Sequence, residues 1–369
     1  MAKSVYIADV CKEIFAGGDV PKDALSYEKT EEYNVPIFSN GEKNCGLYGY
    51  TNNARVKEPS ITVSARGTIG YTAIRTEPFV PVVRLITLTP KSEVIDLDYL
   101  FYATQNYKFE GSGTSIPQLT VPILKKYKFP LPEMSHQKAI AVKFEKLDQL
   151  ISLRKQQLAK LDELVKARFV EMFGDPVRNE KGWNTYALAE MCDGIGDGLH
   201  GTPEYDENGE YPFINGNNLI DGVIQINAST KKVNKKTYEK HYIKISQNAI
   251  LLSINGTLGK IAFYNGEQVM LGKSACYCNL KDEVNRIFVY KIMKTDAFAG
   301  YLEDNSTKST IKNVGLKAIR EYRLIAPPLS LQNQFAAFVE RVDKQKRTVQ
   351  QSLEKLELMK KVLMQEYFG

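Results

Sequence analysis

The sequence is poor in the residues that build disulfides, metal sites and hydrolytic centres. Its 369 residues include five cysteines, three histidines and one tryptophan. The odd cysteine count and the lack of CxxC spacing argue against a disulfide framework and a zinc site, and favour buried thiols. Cys276 and Cys278, two apart in an apolar stretch, are expected to pack into a core. His136, His200 and His241 have no evident serine, cysteine or carboxylate constellation around them.

Long apolar runs are absent as well. No uninterrupted apolar stretch reaches the roughly 18 residues of a membrane helix, and the first residues lead into no signal-peptide core. We therefore expect a cytoplasmic protein. Hydrophobic residues at 43% and charged residues at 25% are ordinary values for a globular chain, whose 369 residues favour two domains. The net charge of +6 gives weak support for a polyanionic partner.

Signatures of nucleotide binding and adenine methylation are missing too. Gly272-Lys273-Ser274 resembles the end of a P-loop, but Glu267 stands where that motif needs a glycine. We find no glycine-rich dinucleotide motif and no Asn-Pro-Pro-aromatic tetrapeptide of the kind adenine methyltransferases use. We therefore expect any catalysis to come from partner chains.

The strongest positive signal is an internal repeat, which is sought first because it changes the reading of the whole fold. Four blocks recur: residues 10–17 on 191–198, 36–40 on 212–216, 64–70 on 253–259, and 127–174 on 322–369. The last block aligns without a gap and pairs Gln137 with Gln332. The repeat predicts two copies of one structural unit.

Each copy ends in a predicted long helix, because apolar residues recur at alternating steps of four and three over residues 140–172 and 335–367. Four cationic residues interrupt these seams: Arg154, Arg168, Lys346 and Lys360. Prolines precede both helices, and Ser135 and Ser330 are the predicted N-caps. Each helix should run about 35 residues, or roughly 50 Å. A helix with so narrow an apolar seam has to pack against another helix, and we expect the two long helices to pair antiparallel.

The rest of each copy carries strand signals, for example at residues 60–63, 79–89 and 249–253. We expect an α+β fold of two tandem mixed α/β domains with curved, mostly antiparallel sheets, each followed by a long helix, the two helices packing as a coiled-coil-like spacer. The predicted boundaries are 1–133 and 175–328 for the domains, and 134–174 and 329–369 for the helices. The glycine-rich turn at 66–70 could let backbone amides approach a ligand or could be an ordinary hairpin.

The order of these motifs, duplicated along the chain, is specific. It consists of the Ser-x-x-Gly-Thr-x-Gly turn, the proline-containing entry into a helix with Gln137 or Gln332, and the run Phe-Val-Glu-Met-Phe-Gly-Asp at 169–175. In this respect the chain resembles the specificity subunit of type I restriction-modification systems. The resemblance implies two target-recognition domains, each reading half of a split DNA site, and helical spacers that dock modification subunits.

The resemblance also implies which chemistry belongs to other chains. A specificity subunit is non-catalytic and directs adenine methylation or DNA cleavage by a modification (methyltransferase) subunit and a restriction (nuclease/translocase) subunit. S-adenosylmethionine, ATP and magnesium are then expected on those partners, with no cofactor or metal bound by this chain and no membrane partner.

Candidate DNA contacts follow from which side chains can reach base edges or phosphates. In the first domain these are Arg66, Gly67, Thr68, Thr114, Ser115 and Gln118. In the second domain they are Asn255, Gly256, Thr257, Lys273, Lys308, Thr310 and Lys312, with Lys273 as a phosphate contact. The replacement of Arg66 by Asn255, and of Gln118 by Asn313, is what two domains reading different half-sites would have, although drift would produce it equally.

Three points stay open from the sequence: the role of one motif and two alternative functions of the whole chain. The lysine-rich run at 231–236 could hold phosphates or form a solvated face. The chain could be a methyltransferase or nuclease whose motif is not recognised, which predicts activity of the chain alone. It could also be a helical protein-binding scaffold, which predicts no salt-dependent affinity for DNA.

Overall fold

The structure, a computed structural model, describes residues 3–106 and 118–369. Its contacts divide the chain into a first unit, Met1–Gln157 with Val349–Gly369, and a second unit, Leu158–Thr348. Each unit therefore contains one globular part and a portion of each long helix. The domain boundaries drawn from the sequence repeat stay a prediction. The units defined by contacts do not test them, because each unit includes parts of both long helices.

The globular part of the first unit is built mainly of antiparallel strands. The strands are Lys3–Tyr6 (β1), Cys11–Ala16 (β2), Val35–Phe38 (β3), Leu47–Thr51 (β4), Ser60–Val63 (β5), Thr72–Arg75 (β6), Val80–Pro81 (β7), Ile86–Pro90 (β8) and Lys128–Leu131 (β9). The helices are Ile7–Val10 (α1), Leu97–Gln105 (α2), Val121–Leu124 (α3) and Met134–Phe173 (α4). The sheets have the orders β2-β8-β5-β6, β4-β3-β7 and β1-β9.

The second unit repeats this plan. The strands are Thr185–Ala187 (β10), Cys192–Asp197 (β11), Tyr211–Ile214 (β12), Leu219–Ile220 (β13), Val223–Ile224 (β14), Lys232–Val233 (β15), Ala249–Ser253 (β16), Ile261–Phe263 (β17), Met270–Leu271 (β18), Ala275–Leu280 (β19) and Arg323–Ile325 (β20). The helices are Lys235–Lys240 (α5), Arg286–Met293 (α6), Asp296–Asp304 (α7), Leu316–Glu321 (α8) and Leu329–Phe368 (α9). The sheets are β11-β19-β16-β17, β15-β12-β18, β10-β20 and β13-β14.

The sequence repeat is thus a repeat of topology. In both units the first strand of the four-stranded sheet carries a register shift directly after its cysteine, Cys11 or Cys192. In both units the three-stranded sheet contains one parallel pair, β3 with β7 and β12 with β18. The mixed α/β fold and mostly antiparallel sheets predicted from the sequence are confirmed.

A repeated glycine follows the first strand of each four-stranded sheet because two backbones meet there. A Cβ on Gly17 would lie 2.5 Å from the carbonyl oxygen of Pro81, and a Cβ on Gly198 would lie 2.1 Å from that of Leu271. No side chain fits at such distances, so both positions require glycine. These are the last residues of the first repeated block.

The strand predicted over residues 79–89 is partly wrong. The predicted strands at 60–63 and 249–253 are found as β5 and β16, but residues 79–89 form β7 and β8 separated by a turn. Val83 and Arg84 in that turn have φ angles of +52° and +66°. A β-branched residue seldom adopts this left-handed conformation, and nothing in the local sequence signals it.

The long helices α4 and α9 have 40 residues each, which corresponds to about 60 Å. In the first unit they run antiparallel: Lys360 Nζ lies 2.6 Å from Asp148 Oδ1, and Arg154 Nε donates to Ser352 Oγ at 3.3 Å. In the second unit Lys346 Nζ lies 2.6 Å from Asp162 Oδ1. Three of the four cations that interrupt the predicted seams thus have polar partners on the other helix, and the fourth, Arg168, lies 5.9 Å from the ring centre of Phe338 on α9.

The predicted N-caps of these helices are wrong. The helices begin at Met134 and Leu329, one residue before Ser135 and Ser330, so both serines lie inside the first turn. A buried glutamine one turn in anchors each entry. Gln137 accepts from the backbone N–H of Asp96 at 2.8 Å and donates to the carbonyls of Val94 and Pro132.

Gln332 makes the equivalent bonds in the second unit. It accepts from the N–H of Asn285 at 3.0 Å and donates to the carbonyl of Pro327 at 2.7 Å. Both glutamines are nearly inaccessible, with 1% and 2% of their surface exposed, so each one satisfies buried backbone groups of the domain that precedes its helix. This explains why a glutamine recurs at the same place in both copies.

Each unit has an aromatic core that receives the last turn of a long helix. In the first unit Phe368 lies 5.1 Å from the ring of Tyr99 and 5.7 Å from that of Phe144. In the second unit Phe173 lies 4.9 Å from Phe288. None of the helices in residues 3–106 and 118–369 combines the length and the hydropathy of a membrane span.

Candidate functional site

The turn between β5 and β6 is exposed and built around Gly67. This glycine has a φ of +68°, and no atom lies within 4 Å of the place its Cβ would occupy. Arg66 and Thr68 beside it are exposed. The turn between β16 and β17 has the same construction, with Gly256 at φ +77° and open space around it. The turns predicted at these positions are therefore present in both units, open to a ligand.

A segment distant in sequence lies beside each turn. In the first unit the N–H of Leu119 donates to the carbonyl of Ala65 at 2.9 Å, and this contact brings Gln118 next to Arg66. The Nη2 group of Arg66 donates to Oε1 of Gln118 at 2.9 Å. Together with Arg84, these side chains line a cleft of about 420 Å³, which we call the first cleft.

The second unit contains an equivalent cleft. The N–H of Val314 donates to the carbonyl of Ile254 at 2.9 Å, which brings Asn313 next to Asn255. Nδ2 of Asn255 donates to Oδ1 of Asn313 at 3.3 Å. With Lys273 these residues line the second cleft, of about 440 Å³. Arg66, Arg84 and Gln118 of the first cleft correspond in the repeat to Asn255, Lys273 and Asn313 of the second, so equivalent positions carry different hydrogen-bonding side chains.

Polar side chains hold the walls of each cleft. In the first unit Asn40 accepts from the N–H of Ala65 at 2.7 Å and donates to the carbonyl of Val83 at 2.6 Å, so one amide joins the two turns that carry Arg66 and Arg84. In the second unit the hydroxyl of Ser274 donates to Asn215 Oδ1 at 2.9 Å, directly beside Lys273. The cationic side chains therefore project from fixed backbone.

The remaining candidates are distributed differently. Thr114 and Ser115 lie outside the described residues. Gly256, Thr257, Thr310 and Lys312 line a separate groove of about 780 Å³. Lys312 forms an ion pair with Glu303, so its charge is already neutralised locally. Lys308 is exposed but does not line either cleft.

Two groups in the clefts were not identified from the sequence. Arg84 was missed, although the offset of 189 residues that pairs Arg66 with Asn255 also pairs Arg84 with Lys273. His200, for which no carboxylate partner was expected, has Nε2 at 2.8 Å from Oδ2 of Asp197, and both residues line the second cleft. The spacing of three residues between Asp197 and His200 gave the only sequence signal for this pair.

The lysine-rich run of the second unit forms an exposed cationic surface. Lys231, Lys232, Lys235 and Lys236 are all exposed. Lys231 lies 5.9 Å above the ring of Tyr205, beside a polar depression lined by several asparagines. An exposed cationic surface with these neighbours can bind phosphate or remain solvated.

Four of the five cysteines are buried. Cys276 and Cys278 are fully buried, as expected. Burial raises the pKa of the Cys11 thiol to about 12, and a hydrogen bond with Cys278 together with burial raises the pKa of Cys192 further still. Cys45 is exposed. Among residues 3–106 and 118–369, no three His, Cys, Asp or Glu side chains come close enough to hold a metal ion.

Comparison with known proteins places these features in a wider group. The profile of a family described as the type I restriction modification DNA specificity domain matches residues 2–163 and 180–358. A Mycoplasma pneumoniae protein named as a type I specificity subunit is 38% identical over 167 residues, which cover 42% of this chain and 49% of that protein. The chain thus aligns with about half the length of this relative.

Two further similarities extend over more of the chain. The MjaIX specificity subunit of Methanocaldococcus jannaschii is 27% identical over 285 residues, which cover 68% of this chain and 62% of that protein. The crystal structure of a type I restriction-modification S subunit from M. genitalium superposes with a TM-score of 0.64 at 17% identity, covering 100% of this chain and 96% of that one. The latter similarity concerns the fold.

Proposed function

Because the chain belongs to the family of type I restriction modification DNA specificity domains, we propose that it reads a two-part DNA sequence, one half with each unit. The observation that carries this proposal is the pair of clefts. They occupy the same place in a duplicated fold, yet they present arginine and glutamine in one unit and two asparagines in the other. Such side chains are the ones that read base edges in the major groove.

The proposal assigns contacts with the DNA backbone to the cations near each cleft. Arg84 and Lys273 are exposed at equivalent positions on the cleft walls, where they can neutralise phosphates and fix the register of the duplex. Lys308 and the lysines of the 231–236 run can add to this in the second unit. The net charge of +6 supports an anionic ligand.

The proposal also assigns catalysis to other chains. Methylation of adenine and cleavage of DNA belong to separate modification and restriction subunits, which bind S-adenosylmethionine, ATP and magnesium. The long helices would dock the modification subunits. Leu164 on α4 and Met359 on α9, which correspond in the repeat, are 47% and 52% exposed and support such a docking surface.

The DNA-binding proposal predicts a steep dependence of affinity on salt. If about six to ten phosphates are contacted, the affinity of the full-length chain for its site should fall by roughly 10³- to 10⁵-fold between 50 and 200 mM salt. Arg84→Gln and Lys273→Gln should each reduce the slope of log affinity against log salt by about 1. Fluorescence anisotropy with a labelled duplex measures both.

The control for this titration is Lys128→Gln, which removes a cation from β9 that lies over the ring of Tyr6 and does not line the cleft. It should leave the slope unchanged. Affinity that is independent of salt would favour a protein-binding scaffold. Methyl transfer from S-adenosylmethionine to DNA by the purified chain alone would favour an enzyme. Either result would overturn the proposal.

A further inference from the structure

The two clefts differ in which hydrogen-bonding groups they leave available to a ligand. In the first cleft the oxygen of Gln118 already accepts from Arg66 at 2.9 Å. What this pair can still offer is mainly N–H groups, namely those that remain on the guanidinium and the two of the Gln118 amide, beside the second lone pair of the Gln118 oxygen. The pair therefore presents donors together with a positive charge.

The guanidinium of Arg66, which offers only donors, matches one base in the major groove. Guanine presents two adjacent acceptors there, O6 and N7, whereas adenine presents one acceptor and one donor. The planar guanidinium of Arg66 can donate to both guanine acceptors at once while it stays bonded to Gln118. The bond to Gln118 also restricts the rotation of the arginine side chain, which lowers the entropic cost of reading a base.

The second cleft offers both a hydrogen-bond acceptor and a donor. The amide of Asn255 donates one N–H to Asn313 and keeps its own oxygen and a second N–H. No other side chain in the described part of the structure is hydrogen-bonded to that oxygen. An acceptor beside a donor on one amide matches N6 and N7 of adenine. Whichever of the two asparagines donates, the donating amide retains this combination.

We propose that Arg66 with Gln118 selects a guanine in one half-site, and that Asn255 with Asn313 selects an adenine at the corresponding place in the other half-site. This inference rests on the proposed function and adds to it the identity of one base in each half. Arg84 and Lys273, on the wall of each cleft, are cationic in both units, as expected for contacts that do not distinguish bases.

The test exchanges the two pairs. The double variant Arg66→Asn/Gln118→Asn gives the first cleft the side chains of the second, and Asn255→Arg/Asn313→Gln does the reverse. Each full-length variant and the wild type select duplexes from a random-sequence library at constant salt. In the first variant one guanine of one half-site should become adenine, with the other half unchanged. In the second variant one adenine of the other half should become guanine.

Affinities for defined duplexes quantify the exchange. The first variant should bind the original site roughly 5- to 150-fold more weakly than the wild type and regain affinity for the duplex with the single G-to-A change. Arg66→Ala should relax selection at that one position without creating a new preference. Lys128→Asn, which removes a charge away from the cleft, should select the wild-type sequence. Thermal unfolding confirms that each variant is folded.

The possible outcomes distinguish a failure of this inference from a failure of the proposed function on which it rests. A wild-type chain that enriches no sequence contradicts the proposed function itself. A wild type with a two-part site, whose folded double variants select that same site, overturns the inference alone. Uniform weakening toward all sequences would also overturn it, because the pairs would then contact phosphates and not bases.

Discussion

Replacing Phe368 with alanine is expected to lower the free energy of unfolding of the first unit by about 3–5 kcal/mol, although this residue is next to last in the chain. Its ring is 3% exposed and lies against Tyr99 and Phe144, which belong to the core formed by the opening part of the sequence. Phe173→Ala should have an effect of the same size on the second unit, where Phe173 is fully buried against Phe288 and Phe335.

Urea unfolding followed by hydrogen exchange of peptides from β5–β8 and β16–β19 measures these effects unit by unit. Val362→Ala and Val170→Ala are the matched controls, because these residues lie on the same helices and are 55% and 56% exposed. They should change stability by less than about 0.5 kcal/mol. If Phe368→Ala loosened the second unit and spared the first, the assignment of the end of α9 to the first core would be wrong.

Replacing Gly198 with alanine is expected to destabilise the second unit by about 3 kcal/mol or more, because the new Cβ would meet backbone that cannot move aside. The Cβ would lie 2.1 Å from the carbonyl oxygen of Leu271, which accepts from the N–H of Leu199. Leu199 in turn accepts from the N–H of Lys273 at 3.0 Å. The strain would therefore also displace Lys273 and weaken DNA binding.

Gly194→Ala in β11 is the matched control for this prediction. A Cβ at Gly194 meets no atom within 4 Å, so stability should change by less than about 0.5 kcal/mol. Denaturant unfolding and DNA affinity are measured on both variants. Equal stabilities of Gly198→Ala and Gly194→Ala would show that the backbones do not approach as closely as described.

The repeat and the long helices could be predicted because both are encoded by local patterns. The helix seams follow a fixed spacing of apolar residues, and the side chains at those positions are buried or half-buried throughout. No comparable signal in the sequence shows how the cations that interrupt the seams would be accommodated. Lys360 and Lys346 are accommodated by Asp148 and Asp162, whose positions depend on the antiparallel register of the two helices.

Which residues line each cleft could not be predicted from the sequence in the same way. Arg66 lies beside Gln118 only because the N–H of Leu119 bonds to the carbonyl of Ala65, a pairing between segments more than 50 residues apart. Arg84 joins them through a left-handed turn that its sequence does not announce. Lys312 and Glu303 are only nine residues apart, but no periodic pattern in the sequence signals that they form an ion pair.

The family resemblance drawn from the motifs is confirmed by the family match, and the assignment of individual DNA contacts stays a prediction. Several of the residues that recur in both copies have structural roles. Gly17 and Gly198 allow two backbones to approach closely, and Gln137 and Gln332 satisfy buried backbone groups. The candidates for sequence reading are instead the positions at which the two copies differ.

The central claim, that each unit reads its own half of the DNA site, is tested most directly by a chimera. Residues 1–130 are replaced by the corresponding segment of a relative that recognises a different sequence, and the sequences bound by the folded chimera are mapped by selection from random DNA. We predict that one half of the site changes to that of the donor while the other half keeps its sequence. A folded chimera in which both halves change, or in which neither does, would contradict the claim.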